Sequence, residues 1–272
     1  MPMKHRNLAL TVWLALILLL AALALLVGSP GEHQDIREAM RDAVLHDVNR
    51  VSLFGLLEVN PALISAFAVT GLLLLGALAI RLFVLPRFRT IPGRFQLLLE
   101  QAVGFLDGLA RASAPGKGGF AGAYLFAAGL YIFFGTLFEL LGVQVLATSG
   151  HSVALPAPLS DINAAICMGC QSFLVLLGGG LAGAGFPGVK RALKEFSLPI
   201  SVSFRLFGAL LSGLLVTELV YHYLALSFVL PVLVGLLFTA LHAIIQTYVL
   251  CMLVGMYFHE VSEPIHQEKT EE

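Results

Sequence analysis

Charge is scarce in this chain. Charged residues make up 12% of its 272 positions, against about 25% in an ordinary soluble domain. Sixteen basic and seventeen acidic residues leave a net charge of −1, so nothing in the charge points to nucleic acid. Cysteine is rarer still: Cys167, Cys170 and Cys251 all lie in apolar stretches. The first two have C-x-x-C spacing, but without a second ligand pair or a redox-domain context they read as small residues of a membrane helix. Several catalytic signatures are missing. No phosphate-binding loop ending in Gly-Lys-Ser/Thr occurs, so the chain itself is not expected to bind ATP. His259-Glu260 and His266 do not form H-E-x-x-H, and Pro264 interrupts them, which excludes a zinc-protease helix. There is no nucleophile elbow. Neither a cofactor nor a metal is expected.

Apolar length is what the chain has in abundance. Hydrophobic residues reach 58% and mean hydropathy is +0.90, the signature of a multi-pass membrane protein. Its fold is expected to be all-α with about five to six transmembrane helices, because open strands would leave backbone groups unpaired in lipid. Apolar segments run near 8–28, 62–85, 119–147, 163–186, 197–224 and 228–258. The first, within 1–30, reads as a signal peptide or an extra helix; its length and the lack of an A-x-A ending favour the helix. Residues 31–61 form an outside region, with 31–58 expected as an amphipathic helix. Residues 62–260 form the membrane domain and 261–272 a cytoplasmic tail. Within 95–112, Phe95, Leu98, Leu99, Ala102, Val103, Leu106 and Leu109 fall at helical spacing, as in a helix lying on the membrane surface.

Basic residues set the orientation. Arg81, Arg87, Arg89, Arg94, Arg111 and Lys117 lie between the second and third segments, and Lys190, Arg191 and Lys194 between the fourth and fifth. With Lys4, Arg6 and Lys269 they form a cytoplasmic group, leaving Arg37, Arg41 and Arg50 on the other side. Six crossings with both termini in the cytoplasm satisfy this pattern.

One arginine stands apart. Arg205 lies ten residues after Glu195 and thirteen before Glu218, in an otherwise apolar stretch. At ~1.5 Å per residue it sits ~15 Å from the nearer flank, near the middle of a hydrocarbon layer about 30 Å thick. Such a charge marks function by default, since it costs several kcal/mol or more unless it faces protein, water or an anion. The other intramembrane polar groups are Glu218, His222, His242, Gln246 and Glu139. Glu218 and His222, and likewise His242 and Gln246, are four apart and share helix faces. A short connection near 225–231 makes the last two segments a long antiparallel hairpin. If Arg205 faces Gln246, His242 falls opposite Ala209 and Glu218 opposite Leu233, giving a sparse seam suited to a proton or ion path. Each residue also has a plainer reading: Arg205 as a structural charge, His242 as packing, Glu218, His222 and Glu139 at the interface, Asp161 and Asn163 as helix caps.

These residues resemble subunit a of the F-type ATP synthase. The strongest match is Pro199-Ile-Ser-Val-Ser-Phe-Arg205-Leu-Phe-Gly208, similar to the family's segment around its essential arginine. Pro92-Gly93 with Gln96 and Glu100, Ser160-Asp161-Ile162-Asn163, and Gln246-Thr-Tyr-Val with Ser262-Glu263 extend the match over roughly 60–272. Three relay positions depart: Ala209 stands where the family usually has Asn, Leu214 where it often has Glu or His, and Thr239 seven before the glutamine. The resemblance implies a non-catalytic stator subunit of the bacterial plasma (inner) membrane, with its C-terminus cytoplasmic. It would form two proton half-channels against a ring of c subunits, beside the b stalk and indirectly the catalytic head. In that role Arg205 deprotonates the c-ring carboxylate and blocks leak. Gln246, His242, Glu218 and His222 line the path, with Asp161, Asn163 and Glu139 as lesser candidates. His242 would fill the role of the missing Asn. Alternatives are a divergent paralogue with sodium or another ion path, a secondary transporter, which would call for inverted repeats, and a membrane enzyme, for which acids and bases are too sparse.

Overall fold

The computed structural model describes residues 51–53, 57–90, 92–113, 119–146, 152–222 and 230–263. The expected first hydrophobic segment, residues 31–50 and the tail beyond 263 lie outside these residues, as does the turn 223–229 expected to close the last hairpin. The elements are β1 (Val51–Leu53), β2 (Leu57–Val59), α1 (Pro61–Ala79), α2 (Arg94–Ser113), α3 (Phe120–Phe138), β3 (Gln144–Leu146), β4 (Ser152–Ala154), α4 (Ile162–Ala184), α5 (Phe186–Lys194), α6 (Ser197–His222) and α7 (Leu230–Ser262). Five stretches among them are long and apolar enough to cross a bilayer: Pro61–Arg87, Phe120–Leu141, Ile162–Ala184, Ser197–Val216 and Gly235–Ser262. The chain is an all-α, polytopic membrane protein.

Two expectations need correction. The end of the outside region is a two-stranded ribbon, not a helix: β1 pairs antiparallel with β2, with Val51 opposite Val59. β-Branched residues facing each other favour that pairing, and Asn60-Pro61 then starts α1. The third apolar segment does not stay helical to 147. It ends in a 3₁₀ turn, Glu139–Leu141, and Gly142 takes the left-handed conformation at φ 58°, which glycine adopts without a Cβ clash. The chain then forms β3, which pairs with β4, Gln144 opposite Ala154.

Helix boundaries follow local chemistry. Asn60 caps α1, its side chain accepting from Ala62 N at 3.0 Å, with Pro61 in the first turn where its missing N–H costs nothing. A π-helical turn, Ile80–Val84, and a 3₁₀ turn, Leu85–Arg87, close this span at Pro86. The surface helix α2 is present and is tied to the preceding loop by Gln96. Gln96 Oε1 accepts from Arg89 N at 3.1 Å, while its Nε2 donates to Arg89 O at 3.0 Å and to Glu100 at 2.7 Å.

Helix α4 is the most enclosed span and α1 the least. The core joins α3, α4, α6 and α7 through Leu125, Ile132, Leu176, Leu198 and Val254. In lipid, apolar burial alone does not hold helices together; close approach and interhelical hydrogen bonds do. Gly179, Gly180, Gly183 and Gly188 supply the approach. A Cβ on Gly179 would overlap the Phe258 ring, one on Gly183 would meet the Ser262 backbone, and one on Gly188 would strike Gly180 and Val261. Here α4, α5 and the end of α7 meet backbone to backbone. Polar contacts join the other faces. Thr247 Oγ1 donates to Gly129 O at 3.4 Å, and Cys251 Sγ to Leu125 O at 3.5 Å. Ser172 Oγ donates to Met168 O at 2.9 Å and contacts Tyr124 OH at 2.7 Å.

The second small-residue cluster behaves differently. Gly208 and Gly213 have open space where a Cβ would stand. Gly179→Ala or Gly188→Ala should therefore destabilise the chain by about 1–3 kcal/mol through overpacking. Gly208→Ala should change stability by less than about 0.5 kcal/mol. Thermal denaturation of the purified chain in detergent distinguishes the two sites.

Candidate functional site

The site is built on the facing surfaces of α6 and α7. Proline at position 199 is tolerated in the first turn of α6, and Ser203 Oγ donates to Pro199 O at 2.6 Å. Ser203 and Pro199 press on Gly169 of α4, which fixes the roll of α6. Leu198, Val202, Leu206 and Leu210 are buried. Ser201, Phe204, Gly208 and Ser212 are consequently exposed. Arg205 lies along that exposed stripe, half-buried. Eight residues into a span of twenty, Ser197–Val216, it stands ~12 Å from the start of the span.

Among the described residues, Arg205 has one side-chain partner: its guanidinium donates to Ser201 Oγ at 3.4 Å, one turn back. No described carboxylate pairs with it. Gln246 approaches from α7. It is 6% exposed, and its Nε2 donates to the Arg205 carbonyl at 3.5 Å. The two residues therefore sit side by side, with the amide touching the backbone of Arg205 and leaving the guanidinium free of it.

His242 lies one turn before Gln246 on α7 and is half-buried. Its Nε2 is enclosed and has no hydrogen-bond partner among the described residues. A buried polar atom left unpaired costs about 1–3 kcal/mol, so this nitrogen is available to a partner outside the described residues. Glu139 lies at the end of α3, half-buried in the 3₁₀ turn. The next residue, Leu140, is the nearest neighbour of Gly235 on α7. Glu218 and His222 lie in the last turns of α6, but their side chains are outside the described residues.

Asp161 and Asn163 are engaged in helix capping. Asp161 Oδ1 accepts from Asn163 N at 2.8 Å and from Asn163 Nδ2 at 3.1 Å. Its Oδ2 accepts from Asn60 Nδ2 at 3.0 Å. One carboxylate thus caps α4 and is bonded to the residue that caps α1, bracketing the starts of two spans. The sequence reading missed Asn60; the pair Asn60-Pro61 carries a cap signal, but nothing in it points to a partner a hundred residues away. It also missed Arg191, whose guanidinium donates to Glu260 O at 3.0 Å and Glu263 O at 2.8 Å, satisfying carbonyls that a helix end leaves open. The three cysteines are free thiols, Cys251 buried and the others exposed.

Among the described residues, the membrane bundle thus carries a mid-span arginine on a helix face that no described element covers, flanked by a buried amide. The family description "ATP synthase A chain" matches residues 63–259, most of the chain. The chain belongs to that family and is a non-catalytic membrane subunit of the ATP synthase type.

Removing the shared cap should be felt at both helix starts. Asp161→Ala is expected to cost ~1–2 kcal/mol, whereas Asp161→Asn, which still accepts a capping hydrogen bond, should lose less. The midpoints of thermal unfolding for the two variants measure this.

Proposed function

We propose that this chain is the stator half of a rotary proton motor, with Arg205 facing an acidic side chain of a neighbouring ring of c subunits. The observation that carries the reading is the open stripe through Ser201, Arg205, Gly208 and Ser212. A desolvated cation there has no carboxylate partner among the described residues, and small residues beside it admit another helix closely. A ring carboxylate passing within ~4–6 Å of the guanidinium would have its pKa lowered and would release its proton. The guanidinium itself keeps its charge at any working pH, so it cannot hand protons across. It thereby separates two half-channels that reach the ring from opposite sides. The membrane potential supplies about 2.3 kcal/mol per charge for each 100 mV.

This reading takes α6 and α7 as an antiparallel pair. The Gln246–Arg205 contact supports it, as does the run of α7 alongside α4, with Gly179 at Phe258 and Gly183 at Ser262. Gln246 holds the backbone at Arg205 and leaves the charge free to face the ring. On this reading His242, through its unpartnered Nε2, stands in for the relay side chains absent at Ala209, Leu214 and Thr239. Glu218, His222 and Glu139 line the outer entry. The orientation has basic α5 and the C-terminus on the cytoplasmic side of a bacterial plasma membrane, with the b stalk and catalytic head completing the complex.

In inverted membrane vesicles carrying the assembled complex, Arg205→Ala should abolish coupled ATP synthesis; retained synthesis would overturn the assignment. Gln246→Ala should weaken coupling less. His242→Ala should lower ATP-driven proton pumping at unchanged complex content, and full pumping would remove His242 from the path.

A further inference from the structure

Helix α5 joins two membrane spans, α4 and α6, on one side of the bilayer. It packs on the last turns of α4, Gly188 against Gly180, and a short basic connector between two spans is expected at the membrane interface. Its roll about its own axis is fixed from three directions. Gly188 fits between the backbones of Gly180 and Val261, with no room for a Cβ. Ala192 is fully buried. Arg191 is drawn inward to the Glu260 and Glu263 carbonyls at the end of α7. With these three turned in, Phe186, Lys190, Leu193 and Lys194 are exposed, Phe186 at 81% and Leu193 at 56%.

At 3.6 residues per turn, Phe186 and Leu193 share one sector of the helix and Lys190 and Lys194 the sector next to it. Two large apolar side chains on a soluble surface would be a liability, whereas at the membrane interface they enter the acyl region. Lysines on the adjacent sector then stand at phosphate height, their apolar stems lying along the surface. Among the described residues, neither Lys190 nor Lys194 has an ion pair or hydrogen bond, while Arg191 beside them donates through Nη1 to two carbonyls at the end of α7. The division is by geometry: the inward cation caps a helix, and the two outward cations are left for an anion.

We propose that the outward face of α5 is a binding surface for anionic phospholipid, with Phe186 and Leu193 inserted among acyl chains and Lys190 and Lys194 against lipid phosphates. The charge is complementary to a leaflet rich in acidic headgroups, where each basic side chain near the surface enriches anionic lipid by roughly fivefold. Because Arg191 and Gly188 couple α5 to the end of α7, this surface also pins the helix that carries Gln246 at a set height in the bilayer. The inference is independent of the ion path proposed above and would stand if that reading failed.

The test uses the full-length chain in vesicles. Trp13 is the single tryptophan, so Trp13→Phe combined with Phe186→Trp places one fluorophore on the surface; Leu193→Trp in the same background is the second probe. Each is titrated with brominated phosphatidylglycerol or brominated phosphatidylcholine in an otherwise unlabelled bilayer. Half-quenching is expected at a several-fold lower mole fraction of the anionic lipid, up to about fivefold for each lysine engaged. That preference should vanish in Lys190→Gln/Lys194→Gln and shrink at high salt. Equal quenching by both lipids would overturn the proposal, because the face would then be ordinary lipid contact. Absence of quenching by either, at both probes, would also overturn it, because protein or water rather than lipid would cover the face.

Discussion

A guanidinium that stays charged at every working pH, held in a hydrocarbon layer, constrains what surrounds it. It must meet water, an anion or oriented dipoles, or the helix carrying it does not remain inserted. In this chain the described surroundings supply little: a serine hydroxyl at 3.4 Å, and a glutamine that binds the neighbouring carbonyl rather than the charge. Among the described residues the arginine is left under-satisfied. Its roll is set by α4, through the contacts of Gly169 with Pro199 and Ser203, so the charge cannot turn inward to find a partner. The proposed function rests on that enforced exposure.

Two kinds of glycine divide the work. Those at 180, 183 and 188 are consumed by internal packing where helix backbones touch, and Gly179 makes room for the Phe258 ring. That contact and the Arg191 cap anchor the end of α7, and with it the height of Gln246. Glycine at 208 is open, on the same face as Arg205. The first set brings helices into close contact; the second has open space beside it. On the proposed reading, close-packed support under an uncovered polar stripe suits a stationary surface that a ring carboxylate passes.

Much of this was legible in composition and pattern. The five described spans, helix α2 and the mid-span position of Arg205 follow from apolar length and helical spacing, whereas the proximity of Arg205 to Gln246 was a premise there that the structure supplies. The errors came from short-range effects. Gly142 ends α3 early because of its backbone freedom, and Val51–Val59 pairs as a ribbon where charge pattern alone favoured a helix. Asn60 and Arg191 stayed hidden for another reason: their partners, Asp161 and the Glu260 and Glu263 carbonyls, are distant in sequence, and backbone carbonyls carry no residue signal.

The sequence by itself determined that the chain is a membrane protein, which described segments are long and apolar enough to cross a bilayer, and that Arg205 stands near the middle of one of them. Those are one-dimensional properties, set by hydropathy and by the 1.5 Å rise of a helix. Only the tertiary structure decided which way each helix is rolled. It turned Arg205 to an open face while burying Gln246 behind it, left the Nε2 of His242 without a partner among the described residues, and sent Arg191 inward while Lys190 and Lys194 face out. Helix roll depends on where backbones can touch, and that is settled by packing between segments far apart in the chain.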